Sequence, residues 1–561
     1  MAVAKFIYTG IALLCYQAAV SSALALRDDS RPTATVDSGV LVGTSTSAPT
    51  VASKVNKFLG IPFAKPPARW KLPEKPDSWQ GSREATQFGN ACNQQQSSGS
   101  KNSELLNRYF NSPPAAVPDS EDCLYLNVFA PASAHPSAGS SGESNRAVMF
   151  WIHGGSDSTG TAALPQYDGT NLAGNQDVVV VTTNYRLNLF GFPASPDIPE
   201  KERNFGLHDQ RLALDWVQRN IQAFGGDPNQ VTIFGQSSGA RSVDNLVTAP
   251  PDPVPFAAAI MQSSVPELGL SDRAAQKTTW QSLASSAGCN STNDVLECMR
   301  KVPAASLVAI AEETGLTFSA SPDGGATFAN SMPARRAASS IDHKAIARVP
   351  LLIGNNANEG SLFLTGGVTL DDVMTAFLGS ATAKKFLETF RPKYTGFDSP
   401  EKRDEALVTD FIYTCPTARL AGDSTAAKIS TWRYYYNASF ANTELFPGSG
   451  AYHSAEIRPL FGFFPEDTAT SFQIESSKAM QKAWADFAKN PAGGPGWDKA
   501  PSVELIGGGA SPGESDEHRV PLSSIDANVV DARCGLYKSI YDAAQISGII
   551  VSAINKVLGI H

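Results

Sequence analysis

Residues 177–182, Asp-Val-Val-Val-Val-Thr, form a near-continuous β-branched run, the pattern of a strand buried on both faces of a sheet. Residues 207–224 follow with apolar side chains at helical spacing: Leu212, Trp216, Val217, Ile221 and Phe224. Val231-Thr-Ile-Phe234 then reads as another short strand. Strand, helix and strand in alternation predict a mostly parallel sheet flanked by helices. Cys123-Leu-Tyr-Leu-Asn-Val-Phe129 and Ala147-Val-Met-Phe-Trp-Ile152 read as further strands, joined by a Ser/Gly-rich connector over 132–146. Val349-Pro-Leu-Leu-Ile353 is another, with its proline near the start, where a missing N–H is tolerated. Residues 265–345 are helix- and loop-like and are expected to form a helical cap insertion rather than more sheet.

The chain has 561 residues, 42% apolar and 18% charged, with a net charge of −9. That suits a globular protein with a sizeable core. No basic cluster points to nucleic acid as a partner. Lys5 precedes the mostly apolar residues 6–20, and Ala23-Leu24-Ala25 is a small-x-small cleavage site. Residues 1–25 are therefore predicted to be a signal peptide, and the mature chain to be secreted. The apolar run is too short and too interrupted for a membrane anchor, which needs about 20 apolar residues.

Of seven cysteines, Cys15 leaves with the signal. Cys92, Cys123, Cys289, Cys298, Cys415 and Cys534 remain, an even number that suits disulfides in an exported chain. Cys289 and Cys298 are close enough for a small loop, and spacing leaves the other pairings open. No Cys-x-x-Cys or His-x-x-x-His spacing suggests zinc, and no metal or cofactor is expected. Asn290-Ser291-Thr292 and Asn437-Ala438-Ser439 are glycosylation sequons. Residues 543–561 carry an apolar stripe at helical spacing (Ile546, Ile549, Ile550, Ala553, Ile554, Val557, Leu558). The expectation is an amphipathic helix docked on the body, with a lipid interface or an oligomer contact as lesser alternatives. Oligomeric state is not legible.

Gly235-Gln236-Ser237-Ser238-Gly239 is a G-x-S-x-G motif, but so is Gly509-Ala510-Ser511-Pro512-Gly513. A nucleophile elbow needs a strand before it, a helix after it, and an N–H on the residue after the serine for the developing oxyanion. Pro512 has no N–H, and residues 507–513 read as a loop. Ser237 follows the strand 231–234, and Ser238 keeps its N–H. Trp151-Ile-His-Gly-Gly155 ends an apolar strand with the kind of loop that offers oxyanion donors.

Among the histidines, His135 lies in the connector, His518 in an acidic loop, and His561 at the chain end. His153 belongs to the glycine loop, His208 to a helix start, and His343 to the cap. His453 alone sits well downstream, in a Gly-rich loop behind the strand-like Trp432-Arg-Tyr-Tyr-Tyr436. In this fold the acid lies between serine and histidine in the sequence, at a strand end. Glu359, in Asn355-Asn-Ala-Asn-Glu-Gly360, fits, with a plain surface glutamate as the alternative.

Three longer stretches are more specific: Phe58-Leu-Gly-Ile-Pro-Phe-Ala-Lys-Pro-Pro67, Glu121-Asp-Cys-Leu-Tyr-Leu-Asn-Val128 and Phe224-Gly-Gly-Asp-Pro-Asn-Gln-Val-Thr-Ile-Phe-Gly-Gln-Ser-Ser-Gly239. Through them the chain resembles the type-B carboxylesterase/lipase family, which includes the cholinesterases, over residues 35–540 or so. The resemblance implies an α/β-hydrolase domain over 26–542 and a serine carboxylic ester hydrolase acting on small-molecule esters. It implies a triad of Ser237, Glu359 and His453, and oxyanion donors at Gly155, Ser156 and Ser238. It also implies disulfides Cys92–Cys123, Cys289–Cys298 and Cys415–Cys534, an ion pair of Arg69 with Glu121, and a supporting Ser263.

The family's third oxyanion-loop glycine is Ser156 here, which adds bulk near the pocket. Gln236 replaces the family's usual glutamate, which removes a negative charge. The Cys92–Cys123 loop has no tryptophan, which argues against choline esters. The alternatives are a lipase with a lid in that loop, where Leu105, Leu106, Tyr109 and Phe110 would form the apolar face, and a catalytically inactive binding protein.

Overall fold

The computed structural model describes residues 31–47, 51–95, 117–134, 146–264, 273–339, 345–547, 555 and 557–558. An eleven-stranded sheet runs through the molecule. In chain order its strands are β1 (Thr44–Thr46), β2 (Val55–Pro62), β3 (Tyr125–Pro131), β4 (Arg146–Ile152), β5 (Val179–Thr183), β6 (Gly226–Gln236), β7 (Ala258–Gln262), β8 (Leu351–Asn356), β9 (Thr431–Ala438), β10 (Val503–Ala510) and β11 (Leu522–Ile525). Their spatial order is β11-β10-β9-β8-β7-β6-β4-β5-β3-β2-β1. The stretch from β10 to β5 is parallel, and the strands outside it pair antiparallel. This is the α/β-hydrolase architecture.

The period of two along a strand explains why β4 is apolar at nearly every position. Val148, Phe150 and Ile152 face one layer, packed with Ala213, Trp216 and Val217 of helix α1 (Phe205–Asn220) and Val243 and Val247 of α2 (Ser238–Thr248). Ala147, Met149 and Trp151 face the other, packed with Met480, Trp484 and Phe487 of α4 (Ser471–Lys489). A short helix between these, α3 (Glu359–Phe363), follows β8.

Several boundaries differ from the sequence reading. The helix read over 207–224 ends at Asn220 and tightens into a 3-10 turn, Ile221–Phe224, closed by Gly225 at φ +80°. Strand β6 starts five residues before the apolar run, because Gly226 pairs with Arg146 across a bulge. Residues 507–510, read as loop, complete β10, with Gly507 N–H bonded to Pro521 O. No helix follows Ser511, so it is not an elbow. The cap holds helices at Arg273–Ser286, Val295–Lys301, Ala304–Thr314 and Met332–Ala338.

All three disulfides implied by the resemblance are formed, and Arg69 pairs with Glu121 at 2.5 Å. Asn290 of the first sequon is exposed, whereas Asn437 of the second is half-buried on β9. The signal peptide and the lid-face residues Leu105, Leu106, Tyr109 and Phe110 lie outside the described residues, as do His135, His343 and His561. Helix α5 (Lys538–Ser547) begins the C-terminal segment. Beyond it Thr382 Oγ donates to Asn555 Oδ1 at 2.7 Å, and Leu558 packs on the cluster around Phe386, Tyr537 and Ile540. Among the described residues no helix is long and apolar enough to cross a membrane.

Cys415–Cys534 closes a sequence separation of 119 residues and anchors this segment to the same cluster. Replacing both cysteines with alanine should lower stability by about 2–5 kcal/mol, read as a fall in the denaturation midpoint.

Candidate active site

Ser237 stands between β6 and α2 with φ +57° and ψ −124°, the strained conformation of an elbow. Two glycines make room for it. A Cβ on Gly235 would come within 2.7 Å of Gly239 and Ile152 O, and one on Gly239 within 2.1 Å of Ile152 O. Both contacts are to backbone, which cannot move aside. Ser237 N–H donates to Gln262 O at 2.9 Å, so the ladder with β7 runs one residue into the turn.

One strand further on, Ser263 repeats the device, with φ +50° and its N–H on Gly354 O at 2.8 Å. Its hydroxyl donates to Glu359 Oε1 at 2.5 Å. The same oxygen accepts from Asn356 N–H at 2.7 Å. The other, Oε2, lies 2.5 Å from His453 Nδ1. Glu359 is fully buried and His453 nearly so.

The loop carrying His453 is stitched to the acid's loop. Asn358 N–H donates to Ala451 O at 3.0 Å, and Asn356 Nδ2 to Tyr452 O at 2.7 Å. Phe363 and Tyr413 flank the imidazole at 5.3 and 4.9 Å between ring centres. With the Nδ1 proton on Glu359, Nε2 is an acceptor, and Gln236 Nε2 donates to it at 3.1 Å.

The glycine loop read as the source of oxyanion donors follows β4. His153 Nδ1 lies 2.8 Å from Gly154 O, so that nitrogen carries the proton and donates. Burial pushes the His153 pKa down to about 4, so the ring is neutral at working pH. Gly155 O accepts from Ser158 N–H at 2.9 Å and Thr159 N–H at 3.0 Å. In a trans peptide the N–H points opposite to the C=O. Holding these two carbonyls therefore aims the N–H groups of Gly155 and Ser156 the other way. Gly154 itself lies against the elbow: a Cβ there would come within 3.1 Å of Ser237 Cβ. Ser156 is exposed.

The carboxylesterase family model matches residues 30–503. A para-nitrobenzyl esterase of Bacillus subtilis is 33% identical over 469 residues, which cover 79% of this chain and 88% of that one. A cholinesterase of Mus musculus is 32% identical over 480 residues, 79% of this chain and 76% of that one. A pyrethroid hydrolase, Ces2e, of Rattus norvegicus is 32% identical over 500 residues, 84% and 85% of the two chains. The chain belongs to the carboxylesterase family. It is a carboxylic ester hydrolase.

Of the residues read from this carboxylesterase's sequence, Glu359 bonds His453 and Ser263, Gln236 beside Ser237 bonds His453, and Ser238, on the other side of Ser237, bonds the loop of Gly155 and Ser156 at Asp157. His518 is exposed, and His208 faces Lys201 O at 3.2 Å on another helix. The sequence reading missed a second acid. Glu456 is fully buried three residues after His453, and accepts from Gln262 Nε2 at 3.2 Å and Asn356 Nδ2 at 2.6 Å. Asn356 thus bonds both carboxylates, Glu359 through its backbone and Glu456 through its side chain. A His-x-x-Glu spacing was the available signal, and it carries no meaning until the two loops meet.

Burial and the charge of Glu359 push the Glu456 carboxyl from 4.5 up to about 7. Unfolded, it would lose its proton near the ordinary value. Between the two pH values the folded state binds more protons, so this group makes stability fall as pH rises. The penalty is absent below about pH 4.5 and complete above about pH 7, on the order of 3 kcal/mol. Glu456→Gln should therefore gain on wild type in melting temperature as the pH is raised from about 5 to about 8. A pH-independent difference between the two would assign Glu456 an ordinary carboxyl pKa.

Proposed function

We propose that this carboxylesterase hydrolyses small-molecule esters through an acyl-enzyme on Ser237. The observation that carries this reading is the bond from buried His453 to buried Glu359, beside an elbow serine 216 and 122 positions away in sequence respectively. His453 Nε2 takes the Ser237 proton as Oγ attacks the ester carbonyl. Glu359 holds the imidazole in the Nδ1–H form and stabilises its cation. The N–H groups of Gly155, Ser156 and Ser238 bind the oxyanion, each worth about 3–4 kcal/mol in comparable sites. The proton passes to the leaving alcohol, and water then repeats the sequence on the acyl group.

Before attack, the Gln236 amide must yield Nε2 to the serine hydroxyl. Residues 1–25 act as a signal peptide and the mature enzyme, 26–542 with a docked terminal helix, works outside the cell. Three disulfides support an oxidising compartment. Exposed Asn290 is the better placed of the two sequons to carry a glycan. A soluble ester fits better than a triglyceride, because the start of the 92–123 loop binds the oxyanion loop: Gln94 Oε1 accepts from Gly160 N–H at 2.9 Å.

The test is turnover of p-nitrophenyl esters from acetate to palmitate. Ser237→Ala and His453→Ala should each lower kcat by about 10⁵-fold or more, and Glu359→Gln by about 10⁴-fold, with folding intact. A folded Ser237→Ala enzyme of near-normal rate would remove the triad reading. No turnover by wild type on any ester would favour a binding protein.

A further inference from the structure

Asp157, the residue after Ser156, is 1% exposed. Its carboxylate pairs with the Arg241 guanidinium, itself largely buried, and accepts Ala320 N–H at 3.1 Å. Its own N–H donates to Ser238 Oγ at 3.3 Å, and its carbonyl accepts Asn188 N–H at 2.6 Å. A buried carboxylate is tolerated only when paired and hydrogen-bonded, and this one meets both conditions.

The two partners on α2 are three residues apart, so they lie on one face of the helix that begins at the nucleophile. Ser238 holds the main chain of Asp157, and Arg241 holds its side chain. Ser156 and Asp157 have φ +57° and +59°, two consecutive left-handed residues without a glycine between them. Such backbone persists where the surroundings over-determine it. The outer side of the same loop is bound by Gln95 N–H on Ser158 O at 2.9 Å, and the cap reaches it through Ala320.

The geometry points to Asp157 as a positioning residue that clasps the oxyanion loop to the elbow helix, so that the Ser156 N–H stays aimed at the developing oxyanion. Arg241 and the Ser238 hydroxyl are the other half of the clasp. The inference rests on the acyl-enzyme reading, since it assigns a task to donors that only that chemistry needs. A merely structural ion pair would support Tm and leave transition-state binding alone.

Three variants separate these roles: Asp157→Asn, the pair Asp157→Asn/Arg241→Gln, and Ser238→Ala, which keeps the backbone N–H. The pair is included because the single change leaves a buried guanidinium without its partner. The readouts are Tm, kcat and KM on p-nitrophenyl butyrate, and Ki for a trifluoromethyl ketone, whose tetrahedral adduct needs the oxyanion donors. Both Asp157 variants should lose kcat by about tenfold or more with KM within about threefold, and the ketone Ki should rise by the factor by which kcat/KM falls. The pair should recover Tm but not kcat. Ser238→Ala should show a smaller loss of the same kind.

A folded pair with wild-type kcat and ketone Ki, or a fall in Tm alone, overturns the clasp. Should neither Asp157 variant fold, wild-type kcat and Ki in Ser238→Ala overturn it. A Ser237→Ala control keeps the outcomes apart: an active control sinks the triad reading, whereas an inactive control beside silent clasp variants sinks this inference only.

Discussion

The parallel ladder through β6, β7 and β8 sets the height of everything in the site. Gln236 pairs with Gln262, and Gln262 with Gly354, so β6 and β7 end level with each other and β8 runs two residues further, to Asn356. The ladder then continues one residue into each turn, through Ser237 N–H and Ser263 N–H. Both serines leave the sheet with positive φ, and the Ser263 hydroxyl reaches Glu359. Shift one strand by a residue and Ser263 no longer reaches Glu359. The rest of the site hangs from these fixed ends: the acid one turn after β8, and the histidine on a loop stitched to the acid's.

Glu359, Glu456 and Asp157 are buried around this edge, and each is managed differently. Glu359 accepts from Ser263, Asn356 and His453, so its charge is spread over three donors. Glu456 has two amide donors, and burial and the charge of Glu359 raise its pKa. Asp157 has a guanidinium. Low dielectric makes each arrangement strict, because a buried charge that loses a partner keeps its desolvation penalty. Buried polar groups of this kind define one geometry at the expense of stability, and that exchange suits a site that must hold donors still during the reaction.

Much of this protein was legible in the amino-acid sequence by itself. The β-branched runs and the helical period of 207–224 determined a parallel sheet flanked by helices, because burial on two sides leaves no polar alternation. The strand before Ser237, its flanking glycines and the N–H of Ser238 singled out one of two G-x-S-x-G motifs, since a proline cannot donate. Family resemblance supplied the acid and the disulfide pairing, which spacing had left open. Tertiary structure alone decided the rest. The strand β7, Ala-Ala-Ile-Met-Gln, has weak strand propensity and exists because β6 and β8 offer it partners on both edges. The Gly-rich end of β10 is held by Ala510 pairing with Ala438 across a register shift and by Gly507 N–H on Pro521 O. Asp157 reads as a loop aspartate until α2 brings Arg241 beneath it, and Glu456 as a helix-start glutamate until Asn356 and Gln262 close over it. Hydrophobic period and backbone sterics are local and so are written in the sequence, whereas the partners of a buried charge come from residues tens to hundreds of positions away and are chosen only when the sheet assembles.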